Sequence, residues 1–378
     1  MVSSKKAMPK GLKILRNIGI GMVASIALAL LIIFIAHNYF STKEYSMLKE
    51  AGYINPISAG DYNLNVCIYG NGQGKHTIVG LSGMGVNEFA VSVEPFMERF
   101  SDENKIAIID RAGYGMSDDT NKEQTIERIV SDYRTVLKNA GCTAPYVLVS
   151  HSLGGNYATY WVNTYPEEIE AVIYFDPAYI LGDTTILDNH PGQEVWWEDE
   201  TGYIAPIVQQ MGLARLSIAV TNAKPWVSVA DKENEEYKKA FWEHSLCTNA
   251  QKSEAVCAKE NMKKTAAVLK ANNIPKLYID AAYYTKEDMI EYFGVLYNKG
   301  MGNLLEEDIN PENKESMDKI WESSSKERQE TYERFIKNYV EKLGNCKYVN
   351  IPGDHYIYEY KPDEVEKEVQ SFLDDCDR

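Results

Sequence analysis

Ser152 stands in Tyr146-Val-Leu-Val-Ser150-His151-Ser152-Leu153-Gly154-Gly155, where an apolar β-type run meets the start of a helical pattern. Small residues two before and two after a serine, here Ser150 and Gly154, permit the tight strand-to-helix turn that exposes its hydroxyl. A hydroxyl is a poor nucleophile until a base takes its proton. The chain has six histidines. His37 borders an apolar run, His76 precedes a strand, His151 lies inside the turn, and His190 and His244 fall in a helical insert. His355, in Asn350-Ile-Pro-Gly-Asp354-His355-Tyr356, follows the last predicted strand and precedes a final helix over Asp363–Asp374. A loop there lies at the carboxyl edge of a parallel sheet, where ligands bind, so His355 is the candidate base. Acyl transfer also needs N–H donors for a developing oxyanion. Leu153, next to the serine, supplies one, and Met84 in Ser82-Gly83-Met84-Gly85 the other.

These residues need a scaffold, and the pattern predicts one. Short apolar runs at Tyr62–Tyr69, Thr77–Leu81, Lys105–Asp110, Tyr146–Ser150, Ala171–Asp176, Lys276–Asp280 and Lys347–Ile351 alternate with helical segments. The inner runs are continuously apolar, as parallel strands covered on both faces must be. Ile126, Ile129, Val130, Tyr133 and Leu137 repeat at helical spacing, with Gly141 as a stop. The fold class is therefore α/β, a doubly wound, mostly parallel sheet. Residues 180–273 are too long for one crossover and contain Trp196, Trp197, Trp226 and Trp242. They predict an inserted helical lid. Residues 285–340 predict charged helices.

Charge is spread unevenly. Before residue 41 stand Lys5, Lys6, Lys10, Lys13 and Arg16 with no acidic residue; the other 34 basic against 55 acidic residues leave −21 on the body. Between them Ile18–Ala36 is uncharged, long enough for most of a ~30 Å hydrocarbon core. The expected division is a cytoplasmic basic N-terminus (1–17), a transmembrane helix (18–40) and an outward-facing catalytic domain (41–378). No small-residue cleavage site follows the run, which favours an anchor over a cleaved signal. An acidic body argues against a nucleic-acid partner. The scattered histidines form no H-E-x-x-H or CxxC metal pattern, so neither metal nor cofactor is expected. Export permits disulfides, and the spacing leaves open Cys247–Cys257, Cys346–Cys376, or six small buried residues.

These motifs together resemble the α/β-hydrolase superfamily over most of residues 60–376. Ser82-Gly83-Met84-Gly85 is similar to its H-G-x-G oxyanion loop with Ser for His. Asp110-Arg111-Ala112-Gly113-Tyr114-Gly115-Met116-Ser117 is similar to the D-R-x-G-x-G-x-S segment after the fourth strand. The resemblance implies Ser152 as nucleophile and His355 as base. It leaves the acid open. The position past Pro275 that often carries it is Tyr284, in a loop with Asp280, Glu287 and Asp288 nearby. A subset that includes some haloalkane dehalogenases resembles an acid directly after the sixth strand, where Asp176 stands. Asp176 heads the candidates, although an Asp-Pro turn ends many strands without any catalytic task.

The expected activity is a serine hydrolase cleaving a small-molecule acyl ester through an acyl-enzyme, tied to the membrane by its N-terminal helix. A proline-iminopeptidase-like peptidase or amidase is the alternative within that chemistry; relatives of that type usually carry Trp where Leu153 stands. A surface-tethered, non-catalytic small-molecule receptor on the same fold is the alternative outside it.

Overall fold

The computed structural model of the chain describes residues 9–178, 180, 205–221, 234–246, 248–298 and 310–378. Trp196, Trp197, Trp226, His190 and Cys247 of the expected insert lie outside these.

Helix α1 runs unbroken from Lys10 to Glu50. At ~1.5 Å per residue it is roughly 60 Å long, about twice a hydrocarbon core. The apolar run marks only its middle. One helix long and apolar enough to cross a membrane is thus present among the described residues. Its far end belongs to the body, where Leu48 enters the core.

Behind α1 stands an eight-stranded sheet. In chain order the strands are β1 (Pro56–Ser58), β2 (Asn63–Gly70), β3 (Thr77–Leu81), β4 (Lys105–Asp110), β5 (Tyr146–His151), β6 (Ile169–Phe175), β7 (Asn272–Asp280) and β8 (Gly344–Asn350). They lie in the order β1-β2-β4-β3-β5-β6-β7-β8. β2 runs antiparallel to β1 and β4, and the other pairings are parallel. The sequence pattern misses β1 because three residues are too few to show alternation. Its leading Pro56 suits an edge, where no N–H is demanded.

Helices cover both faces. α2 (Phe89–Met97) follows β3, α3 (Ile126–Asn139) follows β4, and α4 (Gly154–Thr164) follows β5. Between β6 and β7 lie α5 (Ala205–Gln210), α6 (Leu213–Thr221), α7 (Glu235–His244) and α8 (Asn249–Val268). α9 (Lys286–Asn298), α10 (Lys314–Thr331) and α11 (Lys337–Leu343) precede β8, and α12 (Ile357–Tyr360) and α13 (Pro362–Cys376) close the chain. Along β4, Ile106 and Ile108 join one apolar cluster with α2, α7 and α13, while Ala107 and Ile109 join another with α3 and α4. Both faces are buried, which explains the continuous apolar run. α3 ends as its sequence predicts: Gly141 takes φ +69°, and the N–H of Cys142 donates to the Leu137 carbonyl at 2.9 Å.

Of the alternatives left open for the cysteines, the described residues show free thiols. Cys257, Cys346 and Cys376 are free thiols, as are Cys67 and Cys142. Cys346 packs against the cluster on one face of the sheet and Cys376 against the cluster on the other. The sheet separates the two, which spacing along the chain cannot reveal. Cys257 lies instead against the Glu123 carboxylate. The body grips α1 through Arg215 of α6, which donates to both Glu44 oxygens, at 2.6 and 2.7 Å, and to Glu243 of α7 at 2.5 Å.

Candidate active site

Three connections at the carboxyl edge of the sheet carry the expected residues. After β5 the chain turns sharply into α4. Ser152 sits in this turn with φ +52°, a conformation few residues other than glycine adopt. The turn is closed by N–H donation from Gly155 and Ala178 to the Ser152 carbonyl, at 3.0 and 2.9 Å. It also demands close approach: a Cβ on Gly154 would lie 2.4 Å from the Leu81 carbonyl oxygen, and one on Gly155 2.5 Å from the Pro177 Cβ. Such strain persists only where the surroundings enforce it, and it clusters at functional sites.

After β3 comes the loop from Ser82 to Gly85. Gly83 presses against the turn, so that an added Cβ would stand 2.8 Å from the Ser152 Cβ and 3.3 Å from its Oγ. Met84 is partly exposed and Leu153 is buried as the residue that opens α4. Met84 directly follows the Gly83 that presses on Ser152, Leu153 directly follows Ser152 itself, and α4 begins at Gly154.

After β8 the loop carries His355. Its Nδ1 lies 2.5 Å from Asp176 Oδ2. A carboxylate only accepts, so Nδ1 carries the proton and Nε2 is left as the basic nitrogen. Asp176 follows β6 at φ +42°. Its other oxygen accepts the Ala281 N–H at 3.1 Å. The His355 side chain keeps 46% of its surface and Asp176 27%, so the pair opens to solvent. What burial there is would lower the His355 pKa. The Asp176 hydrogen bond and charge, with Asp354 adding, outweigh it, and the net shift is upward from 6.5.

The loop is tied to the turn by a contact that sequence alone does not disclose. His151 is wholly buried, and its Nε2–H donates to the His355 carbonyl at 3.0 Å. The two rings lie 4.4 Å apart. Burial, and next the neighbouring His355, push the His151 pKa well down, which keeps it neutral.

The other carboxylates have different partners. Asp280 accepts from the hydroxyls of Tyr284 and Tyr348, at 2.7 and 2.6 Å, and from the Ala282 N–H. Asp288 pairs with Thr285 at the start of α9, and Glu287 is exposed there. Neither is bonded to His355. Among the described residues no group of three or more His, Cys, Asp or Glu side chains is placed to hold a metal ion.

Comparison with known proteins bears on the fold and the family. A family profile described as serine aminopeptidase, S33, matches residues 72–277. The uncharacterised protein YbdG of Bacillus subtilis is 35% identical over 164 residues, 43% of this chain and 49% of its own length. YqjL of the same organism is 34% identical over 107 residues, 28% of this chain and 41% of its own. The chain thus spans about half the length of these relatives or less. Among solved structures, a thermophilic esterase from Thermogutta terrifontis superposes with TM-score 0.52 at 15% identity, over 85% of this chain and 98% of its own. A Bacillus megaterium epoxide hydrolase gives 0.54 at 17%, over 85% and 100%. At these identities the likeness concerns the fold. The family match covers more than half of the chain and includes the strands that carry Ser152 and Asp176, so this protein belongs to the S33 serine aminopeptidase family, within the α/β-hydrolase superfamily.

Proposed function

We propose that the chain is a serine hydrolase that cleaves an acyl ester through an acyl-enzyme. The observation that carries the reading is the His355–Asp176 pair at 2.5 Å, tied by His151 to the turn whose next residue is the strained Ser152. Ser152 Oγ attacks the carbonyl carbon while His355 Nε2 takes its proton. Asp176 keeps Nδ1 protonated and stabilises the imidazolium. The N–H groups of Met84 and Leu153 receive the oxyanion. His355 then returns the proton to the leaving alkoxide. Water, deprotonated by the same nitrogen, releases the acid.

The ester assignment rests on Leu153, which leaves the oxyanion side of Ser152 without the bulky aromatic found in iminopeptidase-like relatives. The family description favours a second substrate class, a peptide N-terminus. Both use the same residues. Of the expected insert, the described helices α5 to α8 are the part we assign to a lid. Helix α1 acts as an uncleaved anchor with the body outside the membrane, a placement supported by its basic N-terminal flank.

The test is fluorophosphonate labelling of the full-length chain in detergent, followed by turnover of p-nitrophenyl esters and aminoacyl anilides. Labelling is expected in the wild type and absent in Ser152→Ala. Ester turnover should exceed anilide turnover. A folded wild type that neither labels nor turns over either substrate returns the chain to the class of binding modules.

A further inference from the structure

The segment after β4, Asp110 to Ser117, takes no part in the chemistry of Ser152 and His355, yet it is closely constrained. Its Asp110 carboxylate accepts the Asn65 amide and the Met116 N–H, and a Cβ on Gly115 would collide with that carboxylate at 2.2 Å. The turn so formed aims Arg111 into the interior, where 2% of its surface remains. Every nitrogen of its guanidinium is used. Nε and Nη2 donate to the Glu254 carboxylate at 2.7 and 3.1 Å. Nη1 donates to the Ser82 carbonyl at 3.0 Å and to the Ser82 hydroxyl at 2.5 Å. Nη2 donates to the Gly83 carbonyl at 2.8 Å. Glu254, from α8, is itself 1% exposed and also accepts the hydroxyls of Tyr114 and Tyr157. The Tyr114 oxygen in turn accepts the Gly85 N–H at 3.2 Å.

Buried ion pairs are costly and are weak evidence of stabilisation by themselves. What distinguishes this one is its neutral partners. They are two successive carbonyls of the loop against Ser152. A peptide is planar and trans, so the N–H of a unit points opposite to its carbonyl. With the Gly83 carbonyl fixed on Arg111, the Met84 N–H must point away from it. We propose that Arg111 and Glu254 are positioning residues that set the direction of the Met84 oxyanion donor. Glu254 thereby makes α8, a helix of the insert, a support of the reaction centre. Arginine is required because only a fork serves a carboxylate and two carbonyls together. The inference rests on Ser152 being the nucleophile.

The test uses the full-length chain, with Arg111→Lys and Tyr114→Phe beside wild type and thermal melts to establish folding. Lysine keeps the charge opposite Glu254 but cannot hold both carbonyls. Losing one oxyanion donor costs roughly 10²–10³ in kcat. The expected result for Arg111→Lys is therefore a kcat about 10²-fold lower with KM within about threefold. Affinity for a trifluoromethyl ketone, which forms the tetrahedral adduct, should fall in parallel, while affinity for the product acid stays. Tyr114→Phe should lose about three- to tenfold in kcat, since it frees the Gly85 N–H and removes one donor from Glu254 but leaves both carbonyls on Arg111. A folded Arg111→Lys with kcat within threefold, or a loss confined to KM, overturns the assignment. So does a failure of both variants to fold, which would make the network scaffolding alone. Wild type that shows neither labelling nor turnover sinks the serine-hydrolase reading instead.

Discussion

Replacing Asp176 by Asn changes one atom of a nearly isosteric side chain, and the surroundings decide how that atom is placed. Oδ1 accepts the Ala281 N–H at 3.1 Å and Oδ2 faces His355 Nδ1 at 2.5 Å. An amide nitrogen turned toward Ala281 would set two donors face to face and leave a backbone N–H unpaired, at a cost of about 1–3 kcal/mol. The introduced amide therefore keeps its oxygen on Ala281 and presents its NH2 to His355. Nδ1 must then accept, the ring proton moves to Nε2, and the base is lost. A wrong tautomer of this kind lowers kcat about 10⁴-fold, or roughly 5 kcal/mol of barrier. Asp280 cannot stand in because two tyrosine hydroxyls hold it. The residual activity carries a second signature. In wild type the acid limb of the kcat/KM profile lies above pH 6.5, since the His355 pKa is raised. Asp176→Asn removes the hydrogen bond and charge that raise it. Burial, which lowers it, then dominates, and the limb moves below 6.5. The assay is p-nitrophenyl ester hydrolysis across the acid and neutral range, with active sites counted by fluorophosphonate. Activity within about tenfold of wild type, or an unmoved acid limb, refutes this account of Asp176.

Gly83→Ala puts a methyl 2.8 Å from the Ser152 Cβ; kcat should fall at least ~10²-fold by displacement of the loop, with melting temperature little changed. Asp280→Asn keeps one acceptor oxygen for its tyrosines but sets its NH2 against the Ala282 N–H, so kcat should stay within about threefold while stability drops by ~1–3 kcal/mol, read by denaturant titration. His151 is neutral in the fold because its pKa lies well below 6.5. The unfolded chain binds that proton first, so stability is lost as pH falls below 6.5, by up to about 1.4 kcal/mol per unit. His151→Gln, which can still donate to the His355 carbonyl, should flatten this slope by one proton; equal slopes would refute it.

Much of this arrangement is legible before any fold is known. The Ser152 turn declares itself because steric rules force small residues around the nucleophile, and His355 because few loops follow the last strand. The acid is less legible. A carboxylate after a strand looks alike at positions 176 and 280, and what separates them is the tyrosines that occupy Asp280, one of them 68 residues away. Glu254 is quieter still. It sits on a mostly polar helix 143 residues from Arg111, and nothing in its neighbours marks it as buried. The cysteines mislead for a related reason: spacing measures distance along the chain, whereas the face of the sheet decides which thiols meet.

Helix α1 has no break between Ile18 and Leu48, and its last turn is cemented into the core. If the lipid boundary falls near Ala36, the body meets the rod right there, with Arg215 of α6 donating to His37 at 3.3 Å, and Leu48 enters the core about 18 Å further along a helix with no joint. A tethered enzyme on a loose leash samples a hemisphere of substrates. If α1 is the anchor we propose, an enzyme mounted on it would neither bend toward the surface nor sweep outward. It would meet its substrates in a thin layer at constant altitude, and molecules outside that layer would have to come to it.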